Sequence, residues 1–160
     1  MPQGLKVWFC SMKRLPTELC NKRRIMASVY KEIFIEIAPE QVWDVIRDVG
    51  AVHQRLLPGR VINTQIEGDI RTLTFPDQRV TRELIISVDD TMRRLAYAVI
   101  ETGMPLTFHH ATFQVFAAEN GHTRLVWITD LLPNSCTEDV RIRMEYGARD
   151  MKQAIEHGAE

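Results

Sequence analysis

Apolar and polar positions alternate from Ser28 to Ile37, in "SVYKEIFIEI", so that Val29, Ile33, Ile35 and Ile37 share one face of a predicted strand. The period then changes. In "IAPEQVWDVIRDVGAVHQRLLPG", residues 37 to 59, Val42, Ile46 and Val49, with Val45 beside them, follow the spacing of one helical face. Pro39 suits the opening of that helix, where its missing N–H is not needed, and Glu40 puts negative charge at the positive end of the dipole. Gly50 is expected to end the helix in a left-handed cap, so that a second short helix follows the break. Trp43 sits at the edge of the apolar stripe, placed to anchor it.

Six further strands are predicted. Runs near residues 60–67 and 69–75 meet at Glu67-Gly68-Asp69, a tight-turn composition. "VTRELIISV" and "RRLAYAVIE" flank Asp89-Asp90-Thr91, and "LTFHHATFQVFA" and "TRLVWITDLL" flank Glu119-Asn120-Gly121, where Asn-Gly is a strong hairpin signal. The helical period returns from about Thr137 to His157, with an apolar stripe of Val140, Met144, Gly147/Ala148, Met151 and Ile155. The order is strand, two short helices, six antiparallel strands and a long helix: an α+β protein in which a seven-stranded sheet is expected to curl around the last helix.

Composition adds little to this pattern, and charge adds one feature. With 160 residues, 45% hydrophobic and 26% charged, the chain has the make-up of one ordinary domain. No apolar run reaches the length of a membrane span, and Cys10, Cys20 and Cys136 form neither a disulfide framework nor a paired zinc motif, so a cytoplasmic location is expected. The formal net charge of −1 conceals a split: residues 1 to 25 carry +5 and the remainder −6. The arm has no base-reading motif and no clear amphipathic period, so residues 1–27 are expected to form a disordered basic extension, with no nucleic-acid partner. The domain is expected at 28–157, with a tail at 158–160.

Five local motifs stand in a fixed order along the chain: "IEIAPEQVW" (Ile35 to Trp43), Pro58-Gly59 before the second strand, "RELIISVDD" with "RRLAYAVIE", "GHTRLVW", and Pro133 before the final helix. In this order they resemble the START-like helix-grip superfamily, in particular its SRPBCC branch of polyketide cyclase/dehydrase and lipid-transport proteins. The resemblance covers about residues 28 to 157. It implies a curled seven-stranded antiparallel sheet around a long C-terminal helix, enclosing a cavity that takes a small, largely apolar molecule: a lipid, a polyketide or an aromatic compound.

More distant members, the plant abscisic-acid receptors, suggest which strand parity faces inward. Carried over by position, Tyr97, Val99 and Glu101, then His109, Ala111 and Phe113, then Trp127 and Thr129 face the cavity. The receptors' gate loop corresponds to "FPDQR" at 75 to 79, but their gate motif and pocket lysine are missing here, so hormone reception is not carried over.

Candidate chemistry is sparse. His109 and His110 point to opposite faces of a strand and do not share a metal; His53, His122 and His157 have no ligand spacing, so no metal site and no cofactor are expected. An inward His109 suits a hydrogen bond to a ligand carbonyl or acid–base work. A buried Glu101 would need a partner or a ligand, because a lone buried carboxylate is costly. Glu101 and His109 are the candidate catalytic pair. Arg143, one residue before Met144, reaches the cavity rim, and Gly147 on the inward stripe leaves room either for ligand or for close packing of the sheet. The functional expectation is binding of a hydrophobic ligand by a monomer or homodimer. Two alternatives stand beside it: a cyclase, aromatase or dehydratase using the same cavity, and a partner-binding module without a ligand.

Overall fold

The computed structural model describes residues 25–158; the expected basic arm therefore lies almost wholly outside the described residues. The chain runs β1 (Ala27–Ile35), α1 (Pro39–Arg47), a π-helical turn (Val52–Leu56), β2 (Asn63–Glu67), β3 (Ile70–Thr74), β4 (Val80–Asp89), β5 (Arg94–Glu101), β6 (Phe108–Ala117), β7 (Thr123–Leu132) and α2 (Thr137–His157). Every pairing in the seven-stranded sheet is antiparallel. The order is β1-β7-β6-β5-β4-β3-β2, so β2 to β7 form a meander and the first strand closes onto the last.

Turn chemistry places the hairpins. Gly68 joins β2 to β3 with a φ of 59°, and Asn120 and Gly121 join β6 to β7 with φ of 58° and 75°. These are left-handed conformations that glycine and asparagine adopt at little cost. The expected break after α1 has another origin. The helix ends at Arg47, with Asp48 as its cap, and Gly50 is not among the left-handed glycines. The sharp bend falls instead at Gly59, φ 78°, just after the π-helical turn that replaces the expected second helix.

α1 and α2 cover one face of the sheet. Trp43 is buried on α1 and its indole N–H donates to the Asp90 carboxylate at 2.9 Å, tying the helix to the β4–β5 turn. α2 lies along β1, held by the ion pair of Lys31 and Glu145 and by the Lys152 ammonium donating to the Phe34 carbonyl at 2.7 Å. The core consists of two clusters. The larger joins α1, the central strands and the C-terminal half of α2 (Val42, Ile46, Leu125, Met151, Ile155); the smaller gathers Val29, Leu131, Cys136, Val140 and Met144. Trp127 on β7 packs against both. No helix among the described residues is long and apolar enough to cross a membrane.

Candidate functional site

A cavity of about 200 Å³ lies under the first half of α2, where the two core clusters do not close on one another. The inward faces of β3 to β7 form its wall, the π-helical turn with Val52 and Leu56 one side, and Val140, Arg143, Met144 and Gly147 its roof. A smaller space of about 70 Å³ shares Phe75, Thr81, Thr102, Met104 and Arg143 with it and continues it toward Arg79 and Val80. Wider grooves of about 510 and 410 Å³ occur elsewhere, but exposed charged residues such as Glu40, Asp44 and Glu119 border them. The 200 Å³ cavity alone among these takes its lining from the interior face of the sheet.

Strand alternation puts an aromatic row on the wall. Tyr97 on β5 stacks on Phe113 of β6 at 6.0 Å between centroids, and Phe113 meets Trp127 of β7 at 4.8 Å. His109 lies 5.9 Å from Tyr97 at the end of the β5–β6 ladder. That ladder stops at Tyr97 and Ala111, so the Val99 N–H has no strand acceptor and donates to His109 Nδ1 at 3.1 Å. With Nδ1 accepting, the neutral ring carries its proton on Nε2. Burial, with His110 adding to it, pushes the His109 pKa down to about 4, so the ring is neutral at physiological pH. Burial, reinforced by the Glu83 carboxylate, raises the Tyr97 hydroxyl above its ordinary value.

The wall also holds a buried ion pair. Arg71 Nε on β3 donates to Glu83 Oε2 on β4 at 2.7 Å, both residues are largely buried, and the guanidinium lies 5.4 Å from the centre of the Tyr97 ring. Two further polar atoms are left over: Thr129 Oγ1 and Trp127 Nε1 are buried without a hydrogen-bond partner among the described residues. Thr129 is only 1% exposed. An orphaned buried hydroxyl is costly unless something in the adjacent space bonds to it.

Of the sequence-predicted site residues, Tyr97, Val99, His109, Phe113, Trp127, Thr129, Arg143 and Gly147 come together around this cavity. Ala111 is fully buried in the larger cluster but does not border the cavity. Glu101 lies outside. β4 pairs Glu83 with Val99 but Arg82 with Glu101, so Ile100 is an extra residue on β5, and this bulge exchanges the faces beyond it. Glu101 therefore points outward, 65% exposed and 3.1 Å from Arg82, while Thr102 takes its inward place. The candidate pair of Glu101 and His109 is not assembled.

Gly147 resolves toward close packing. A Cβ there would stand 3.3 Å from the Trp127 ring, so the missing side chain lets the indole seat against α2. Sequence reasoning missed Arg71 and Glu83, although a signal was available. "IRTLT" puts Arg71 on the parity of Leu73, and "VTRELI" puts Glu83 on the parity of Ile85, so both charged residues sat among inward positions.

Comparison with known proteins agrees with this architecture. The chain is similar to the protein XoxI from Bacillus cereus (24% identity over 83% of this chain and 95% of that one, TM-score 0.70). It is similar also to norcoclaurine synthase from Thalictrum flavum (20% identity over 99% and 98%, TM-score 0.68) and to a START superfamily protein from Mycobacterium smegmatis (12% identity over 81% and 97%, TM-score 0.66). At these identities the likeness is one of fold. No curated protein sequence matches the chain. Residues 26–159 match the family described as Polyketide cyclase / dehydrase and lipid transport, the START-like branch expected from the motifs, and the chain belongs to that family.

Proposed function

We propose that this protein binds a small, largely apolar molecule in the cavity beneath α2, with residues 28–157 as the binding unit. The observation that carries the reading is the cavity itself: Val, Leu, Met and aromatic side chains wall it together with the Arg71–Glu83 pair, His109 and Thr129, whose buried hydroxyl has no partner among the described residues. A close-packed core would leave no such space, and polar side chains on the inner face of a sheet have their use when the space beside them is occupied. Family membership and the fold shared with norcoclaurine synthase and a START protein are compatible with such binding. Binding is favoured over catalysis by the anticipated pair, because Glu101 is outside the cavity and His109 offers an N–H at neutral pH, with its other nitrogen engaged.

Native mass spectrometry of gently purified protein, followed by a thermal-shift panel of small aromatic and aliphatic compounds, tests the reading. A retained adduct, or a compound that raises Tm in proportion to the logarithm of its concentration, is the expected result. A protein that carries nothing and is stabilised by no member of the panel would overturn it.

A further inference from the structure

The charged groups around the cavity do not balance. Arg60 lines it but donates to Asp150 at 2.7 Å, and Arg71 is paired with Glu83. At the outer space, Arg79 pairs with Asp77. His109 is neutral. Arg143 borders both the main cavity and the outer space and forms no ion pair among the described residues, although Asp139 lies one helical turn before it. The lining therefore holds one uncompensated positive charge, and it sits at the mouth, where a guanidinium remains partly hydrated and can fork onto a carboxylate.

Size sets a second limit. An apolar cavity of about 150 Å³ accommodates benzene. A cavity of about 200 Å³ with an outer extension of about 70 Å³ thus takes one six-membered ring and a short chain, and is too small for a phospholipid or a folded multi-ring polyketide. The ring would lie against Tyr97, Phe113 and Trp127, the aromatic row of the wall, and the short chain would lead past Met144 toward Arg143.

Resting on the binding function proposed above, we infer that the ligand class is a monocyclic carboxylate, its ring seated on the aromatic row and its carboxylate held by Arg143 at the mouth. The selectivity is for an anionic end over a neutral one of the same shape, and for one ring over a long chain.

Isothermal titration calorimetry on the full chain, using 3-phenylpropionate, the neutral 3-phenylpropan-1-ol and palmitate, separates the possibilities. The carboxylate is expected to bind about tenfold more tightly than the alcohol, and the advantage to shrink in high salt. Arg143→Gln should bring the two ring compounds to equal affinity while changing the alcohol by less than about twofold, since only the charged contact is removed. Arg82→Gln, which removes an outward arginine, should leave all affinities as they were. Equal affinity of acid and alcohol in the parent protein overturns the inference. So does an Arg143→Gln protein that loses both alike, and so does palmitate binding more tightly than 3-phenylpropionate. In those outcomes a ring compound or palmitate still binds and the cavity reading survives; if no probe binds and no adduct is found, that reading falls as well.

Discussion

The two ends of the space between sheet and helices are built from the same strands and filled in opposite ways. At the α1 end, Val42, Ile46, Ile35, Leu125 and Ile155 meet with at most 3% exposure, and the buried polar side chain beside them, Thr123, is satisfied by donating to the Ile37 carbonyl at 2.7 Å. Under the first half of α2 the inward positions hold Arg71, Glu83, Tyr97, His109 and Thr129 around a void. A domain stabilised only by burial has no reason to place charges and orphaned hydroxyls on its inner face, because each costs free energy unless paired. The contrast separates a half that keeps the protein folded from a half kept open at some cost in stability, which is the usual mark of a site.

The largest effect should come from breaking the buried pair on the cavity wall. Arg71→Met leaves Glu83 charged in a poorly solvated position and is expected to destabilise by about 3–5 kcal/mol in urea titration, while adding Glu83→Met should recover most of the loss. If the single variant costs little, water reaches Glu83 and the cavity end is wetter than the burial of the pair implies.

At the closed end, Leu125→Ala should cost about 3 kcal/mol, because Leu125 is fully buried and its neighbours are held by two helices and cannot collapse into the gap. The same titration should show unchanged affinity for any cavity ligand. A loss of binding equal to the loss of stability would mean that the two ends are not separable.

A smaller effect concerns pH. The folded His109 titrates near 4 against about 6.5 when unfolded, so between those values the unfolded chain takes up a proton that the folded protein does not. Stability therefore falls as pH falls from about 6.5 to 4 and levels off below. The shift corresponds to about 2–3 kcal/mol, allowing for the part of the ring that solvent reaches. His109→Gln should flatten the stability curve in that window and nowhere else; a curve of unchanged slope would place the acid sensitivity in another group.

Much of the fold was legible in the chain because periodicity is local. The alternation of "SVYKEIFIEI", the Asn-Gly turn at 120–121 and the stripe from Val140 to Ile155 each depend on neighbours a few residues away, and the long helix spans Thr137–His157 as its pattern indicated. The site was legible in part for a different reason: alternation says that one face of each strand turns inward, and the family resemblance implied which, placing Tyr97, Val99, His109, Phe113, Trp127 and Thr129 where the cavity lies.

What the sequence by itself determined is the succession of elements, the family to which they belong and the face that each strand turns inward before any irregularity. What only the tertiary structure decided is where those parities fail and which charges meet. The bulge at Ile100 turns Glu101 out because β4 and β5 accumulate a one-residue mismatch in register, a property of the pair and not of either strand. Arg71 and Glu83 become partners only because β3 and β4 align them across the ladder, and Arg143 forms no ion pair among the described residues, whereas Asp150, two turns further along the same helix, is taken by Arg60. Gly147 exists for a tryptophan twenty residues earlier, brought beneath α2 by the curl of the sheet. Local physical chemistry writes the elements, and long-range register settles the chemistry between them.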